Sequence, residues 1–416
     1  MFTSDIRSEL TSLLQGAGAA NQTVWGTPAA GSAWGASPFE AVLAQVLLKL
    51  LDRLDSATSN PASPSPANAS AGSPQPTWIY PTPAAATAAA QHSYANPAAA
   101  ATRAVSPSLG AATAPAAAQA TAVSLASFPR PPQDNGRGMH WIPTVAQSPE
   151  VVDRYVAALK DMHIKWVTFL NDGVAIGAND YLVQQLKANG IEPVLRVYTP
   201  GLQPISGDLG AMVKHYADLG VAYFQLYNEP NHSVENDGRQ PDVNRYLDLW
   251  IPAARTVLEN GGLPGFGALS PGGEFKDTDF LSQAIDGLRA RGELGLLDRS
   301  WLSIHNYQGD RPVDDTEGFT RFKVYADILQ QKLGRLLPMI GTEGGTFAAG
   351  PEDEPRRTQL VTDAYRYMAQ REPYNFAYSY WVIANAAGGG HDPAWESQAL
   401  FKTDGQSPLV QALAGL

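Results

Sequence analysis

The chain has 416 residues, a net charge of −11 and no cysteine. These figures exclude disulfides and thiolate metal sites, and the acidic balance argues against nucleic acid or an anionic membrane as partner. The charge is also uneven: residues 1–130 carry five acids and five bases, so the whole excess belongs to residues 131–416.

The first segment, 1–55, opens with "MFTSDIRSELTSLLQ", whose early acids and broken apolar run do not make a secretory signal. Within it Phe39 to Leu54, "FEAVLAQVLLKLLDRL", is expected to form a short amphipathic helix. It is too short and too charged to span a bilayer, so no transmembrane segment is expected. Self-association or docking is its expected use, with a surface anchor or an export cue as alternatives. From 56 to 130, Ala, Pro, Ser, Thr and Gly dominate, and Arg103 is the one charge between Ser56 and Pro129. Such a stretch buries too little apolar surface to offset the entropy of ordering it, so this low-complexity linker is expected to be largely disordered.

From 131 to 416, apolar runs alternate with amphipathic helical stretches, the pattern of parallel β/α architecture. Eight strands are expected: Gly138 to Ile142, Ile164 to Leu170, Ile191 to Tyr198, Val221 to Tyr227, Gly267 to Ser270, Trp301 to Tyr307, Pro338 to Thr342 and Phe376 to Ile383. Ser148 as N-cap before Pro149 starts the first helix, and Gly190 and Gly220 suit the ends of the second, which begins at Asn179, and of the third. Later helices are expected at 243–259, 277–291, 317–334, 357–370 and 407–414. Eight strands and eight helices in about 280 residues fit a (β/α)8 TIM barrel. An open doubly wound sheet would carry a glycine-rich phosphate turn after an early strand, and the sequence has none.

In such a barrel the chemistry gathers where the strands end. Those ends offer His140 and Trp141, Asn171 and Asp172, Arg196 and Tyr198, Asn228 and Glu229, Glu274, His305 and Tyr307, Glu343, and Trp381. Glu229 closes "VAYFQLYNEPN" and Glu343 closes "LPMIGTEGG". Two carboxylates delivered by two buried strands are the equipment for cleaving a glycosidic bond. For either glutamate alone, an ion pair with a rim arginine is the ordinary alternative. His305 and Tyr307, two apart, point to one face of their strand. None of the seven histidines pairs at His-x-His or His-x3-His spacing, so neither a metal nor another cofactor is expected.

Asn228-Glu229-Pro230 on the fourth strand, with Glu343 ending the seventh, resembles glycoside hydrolase clan A, the retaining, cellulase-like barrel glycosidases, over about residues 136–416. The resemblance implies cleavage of a β-linked oligo- or polysaccharide, with Glu229 as general acid/base and Glu343 as nucleophile. Asn228 would bind the 2-hydroxyl of the sugar being cleaved, Tyr307 would hydrogen-bond the nucleophile, His305 would contact sugar or orient a carboxylate, and Trp381 would form an aromatic floor. A core histidine and plain barrel packing are the alternatives for His305 and Trp381. Retention calls for carboxyl groups about 5 to 5.5 Å apart, inversion for about 6.5 to 9.5 Å.

The match departs at "KWVTFLND", where Thr168 stands in place of a clan arginine; Arg196 is expected to supply that charge, and His140 joins the substrate-binding set. Trp141, Tyr198, Phe347 and Trp395 are further rim aromatics, each expected to serve in core or loop packing, with outer sugar subsites as the alternative, and Glu274 is expected as a rim or substrate-contact residue and not as a catalyst. A glycan-binding barrel without turnover is the alternative function. A polymeric substrate favours the cell exterior or envelope; the lack of a signal segment keeps the cytoplasm as the alternative.

Overall fold

The computed structural model describes residues 124–143, 146–346, 353–385 and 393–416. The expected helix from Phe39 to Leu54, the linker up to residue 123, and Phe347 lie outside the described residues. Eight parallel strands close into a barrel in chain order: β1 (Arg137–His140), β2 (Trp166–Asp172), β3 (Glu192–Tyr198), β4 (Tyr223–Leu226), β5 (Leu263–Leu269), β6 (Trp301–His305), β7 (Met339–Glu343) and β8 (Asn375–Tyr380). β1 closes the ring, pairing Gly138 with Trp166 of β2 and with Ser379 of β8. Helices follow the strands as α1 (Pro149–Asp161), α2 (Asp180–Ala188), α3 (Leu209–Asp218), α4 (Val243–Glu259), α5 (Asp277–Ala290), α6 (Arg321–Leu333) and α7 (Glu354–Met368); beyond β8 come the one-turn α8 (Pro393–Glu396) and α9 (Pro408–Ala414). Among the described residues no helix is long and apolar enough to cross a membrane.

Capping chemistry sets several of these ends. Ser148 precedes α1 with Pro149 in the first turn, and Asp208 and Asp242 accept backbone N–H bonds at the starts of α3 and α4. β5 begins at Leu263, ahead of the expected Gly267, because the Pro and Gly of "LPGFG" disguise a strand. A Cβ on Gly265 would lie 2.7 Å from the Trp301 ring, so glycine is there to admit an aromatic from the neighbouring strand. Gly267, at φ 95°, lies where the β5–β6 register shifts.

The alternation of side chains along the strands sorts the barrel interior into layers. At the bottom, Trp166, Tyr223, Trp301 and Phe376 form an aromatic plug with Val194, Leu263 and Ile340. Two residues further along their strands stand Thr168, Gln225 and Ser303, with Ser303 Oγ 2.9 Å from Thr342 Oγ1. The interior then becomes ionisable, with Arg196 two residues beyond Val194 on β3 and His305 two beyond Ser303 on β6. The last residues of the expected linker join the plug: Phe128 is buried in it, the Tyr223 hydroxyl donates to Pro129 O at 2.5 Å, and the Arg130 guanidinium lies 4.2 Å from the Phe376 ring centre. Phe128 to Arg130 thus pack with the barrel, Phe128 adding apolar surface to its lower mouth.

Candidate active site

Glu229 and Glu343 arrive from strands three places apart in the ring. Glu343 is the last residue of β7. Glu229 lies just past β4, on a turn where Tyr227 (φ 64°) and Glu229 (φ 34°) are both left-handed, a conformation costly for residues with a Cβ. The turn is held in place. Glu229 N–H donates to Ala268 O at 3.1 Å and His232 N–H to Glu229 O at 2.9 Å, while Asn231 Nδ2 donates to Ser270 O at 2.8 Å. Glu274 accepts from the Ser233 N–H at 2.8 Å and the Ser233 hydroxyl at 2.7 Å, and lies 3.3 Å from His232 Nδ1. The rim acid after β5 therefore pins the β4 loop, which is a structural task.

Both glutamates are about 5% exposed. Arg196 Nη1 donates to Glu343 Oε1 at 2.5 Å and the Tyr307 hydroxyl to Oε2 at 2.9 Å. His305 Nδ1 lies 2.7 Å from Glu229 Oε1 and 3.6 Å from Glu343 Oε2, so the histidine bridges the two acids. One oxygen of each glutamate and a ring nitrogen of His305 all lie within 4.8 Å of one another. Such a trio has the donors for a cation, but both Glu343 oxygens already accept hydrogen bonds, and the adjacent guanidinium opposes a second positive charge.

The electrostatics differ from group to group. Burial raises the Glu343 pKa, yet the charges of His305 and Arg196 and the Tyr307 bond outweigh it and hold the group below the usual carboxylate range. For His305 burial pulls down, but Glu343 and the bond to Glu229 win and raise it. His140 is driven to about 4 by burial, helped by Arg196, so it is neutral near pH 7. Its Nδ1 lies 2.7 Å from the Trp141 carbonyl and must be the donor there, which leaves Nε2 as an acceptor, buried and unpartnered among the described residues.

The other expected residues converge on the same end of the barrel. The Trp381 ring lies 4.2 Å from the His140 ring and 5.5 Å from that of Trp395, in one apolar cluster with Tyr307. The Trp381–Val382 peptide is cis. Trp141 is packing, fully buried and edge-on to Tyr155. Asn171 serves the turn after β2, donating to the Gly173 and Ala175 carbonyls at 3.0 Å. Thr168 is buried on β2 opposite His140, as a register partner on the neighbouring strand. Arg196 supplies the positive charge beside Glu343, as the departure at Thr168 led one to expect.

Reading strand ends missed one acid. Glu235 lies in the 3-10 turn Val234–Asn236 of the β4 loop and accepts from Asn228 Nδ2 at 2.8 Å. Burial, with Glu229 and Glu343 adding like charge against Arg196, raises it to about 7. It was hidden because the acid sits six residues past Glu229, in a loop with no apolar run to mark it.

Removing Arg196 should expose the cost of the buried charge it offsets. Glu343 is depressed in the folded state, so the pair stabilises the fold above the unfolded carboxylate pKa of about 4.3 and ceases to do so as pH falls through the folded value. Arg196→Gln is expected to lose about 3–5 kcal/mol at pH 7 by urea unfolding, with the deficit shrinking below about pH 4. An equal deficit at both pH values would contradict the pairing.

No protein-family model and no curated protein matches the chain. Solved structures with a similar fold include a family 39 glycoside hydrolase from Bacteroides cellulosilyticus WH2 (14% identity, 69% of this chain and 63% of that chain, TM-score 0.49). Others are a monomeric beta-xylosidase from Caulobacter crescentus CB15 (14% identity, 69% of each chain, TM-score 0.47) and an endo-beta-1,3-glucanase from Pseudomonas viridiflava (17% identity, 68% and 98%, TM-score 0.45).

Proposed function

We propose that this barrel is a retaining glycosidase acting on a β-linked oligo- or polysaccharide. The observation that carries the reading is the pair of buried glutamates at the C-terminal strand ends, with one oxygen of each within 4.8 Å, close enough for both carboxylates to act on one glycosidic bond. Glu343, kept ionised by Arg196 and Tyr307, attacks the anomeric carbon as the nucleophile. Glu229 protonates the departing oxygen and then takes a proton from the water that releases the glycosyl-enzyme. His305 holds Glu229 Oε1, leaving Oε2 for the leaving group, and its positive character also steadies Glu343. Asn228, beside Glu229, contacts the sugar being cleaved, and His140 and Trp381, with rings 4.2 Å apart, offer it further contacts. This chemistry calls for no cofactor.

The test is a panel of β-xylosides, β-glucosides, β-mannosides and β-glucans, with the anomer formed first followed by proton NMR. The β-anomer should appear first. The α-anomer first would establish inversion, and tight binding with no product would establish a glycan-binding barrel without turnover.

A further inference from the structure

We propose that Glu235 is a positioning residue: the charge on its carboxylate sets which way round the Asn228 amide stands beside Glu229. An ionised carboxylate can only accept, so it fixes the amide with Nδ2 toward Glu235, as the 2.8 Å bond shows. The other end of the amide has nothing comparable to hold it, since Asn228 Oδ1 is buried with no hydrogen-bond partner among the described residues. Glu235 is itself anchored, because its backbone carbonyl accepts from Leu202 N–H at 2.6 Å. Once protonated, Glu235 has an O–H to give, and the amide is free to turn and offer Oδ1 to it. The turn pairs Oδ1 with that O–H and carries the NH2 to the side where Oδ1 stood.

The groups acting on Glu235 are Arg196 and Tyr198 from β3, Glu229 beyond β4 and Glu343 from β7. Arg196 already serves Glu343, so Glu235 is the least compensated of three neighbouring carboxylates. Its pKa of about 7 puts the exchange within the ordinary working range of an enzyme. The consequence for turnover rests on the glycosidase reading; the exchange itself does not.

The experiment separates the two. In ligand-free protein labelled with 15N-asparagine, the Asn228 side-chain NH2 signals, identified by their loss in Asn228→Ala, are followed from about pH 5.5 to 8.5. They should titrate with a midpoint near the Glu235 value of about 7. The titration should vanish in Glu235→Gln, with the Asn231 and Asn236 signals unmoved as a check on the loop, and move to lower pH in Glu229→Gln, which removes a like charge. A flat wild-type response, or the same titration in Glu235→Gln, overturns the proposal whether or not the protein cleaves sugars. With a substrate in hand, Glu235→Gln should lower kcat about tenfold with KM changed less than about twofold, and should have no further effect in Asn228→Ala. Additive losses would show that Glu235 does not act through Asn228.

Discussion

Glu343→Ala is expected to lower kcat/KM by about 10⁴-fold or more on every substrate, whatever its leaving group. The side chain removed is the one that would form the covalent bond, and its three supports remain in place. Arg196, Tyr307 and His305 would then surround a small gap shaped for an anion. Azide or formate should therefore restore part of the activity with activated glycosides, and azide should give a glycosyl azide of inverted configuration. Loss of turnover without rescue would be ambiguous with misfolding, so the thermal transition is measured alongside. Activity near that of the wild type would contradict the assignment outright.

Glu229→Ala is expected to act differently on the two halves of the reaction. With a leaving group that needs no protonation, formation of the glycosyl-enzyme should proceed nearly as in the wild type, while its hydrolysis slows by about 10²–10⁴-fold for want of a base. A burst of released phenol followed by a slow steady state, with kcat and KM falling together, is the expected record. With an unactivated glycan, whose leaving oxygen needs the proton, kcat/KM itself should fall by a similar factor. Equal losses on both kinds of substrate would mean that Glu229 is not the acid.

Much of this site was legible because a barrel strand writes its function at its end. Apolar runs that stop at Glu229 and Glu343 named the acids, and the two-residue spacing of His305 and Tyr307 put both on one face, where they reach Glu229 and Glu343 respectively. Arg196 was reached only through the resemblance, as a stand-in for the clan arginine that Thr168 displaces; its pairing with Glu343 became visible only in the fold. What stayed hidden depends on turns and not on periodicity. Glu235 reaches the site through the β4 loop, where left-handed backbone at Tyr227 and Glu229 redirects the chain. The early start of β5 was masked by Pro264 and Gly265, residues that normally argue against a strand; here Gly265 makes way for Trp301. Trp141, a strand-end aromatic expected to serve in packing, does so, buried against Tyr155.

The central claim, that Glu343 is a nucleophile forming a glycosyl-enzyme, is tested most directly by trapping that intermediate. Wild-type protein would be incubated with 2-deoxy-2-fluoro β-glycosides bearing activated leaving groups, weighed intact by mass spectrometry, and digested to map the modified peptide. The account predicts one added fluoroglycosyl unit on the peptide containing Glu343, absent from Glu343→Ala. An adduct on another residue, or real turnover of a glycan with product of inverted configuration, would contradict it.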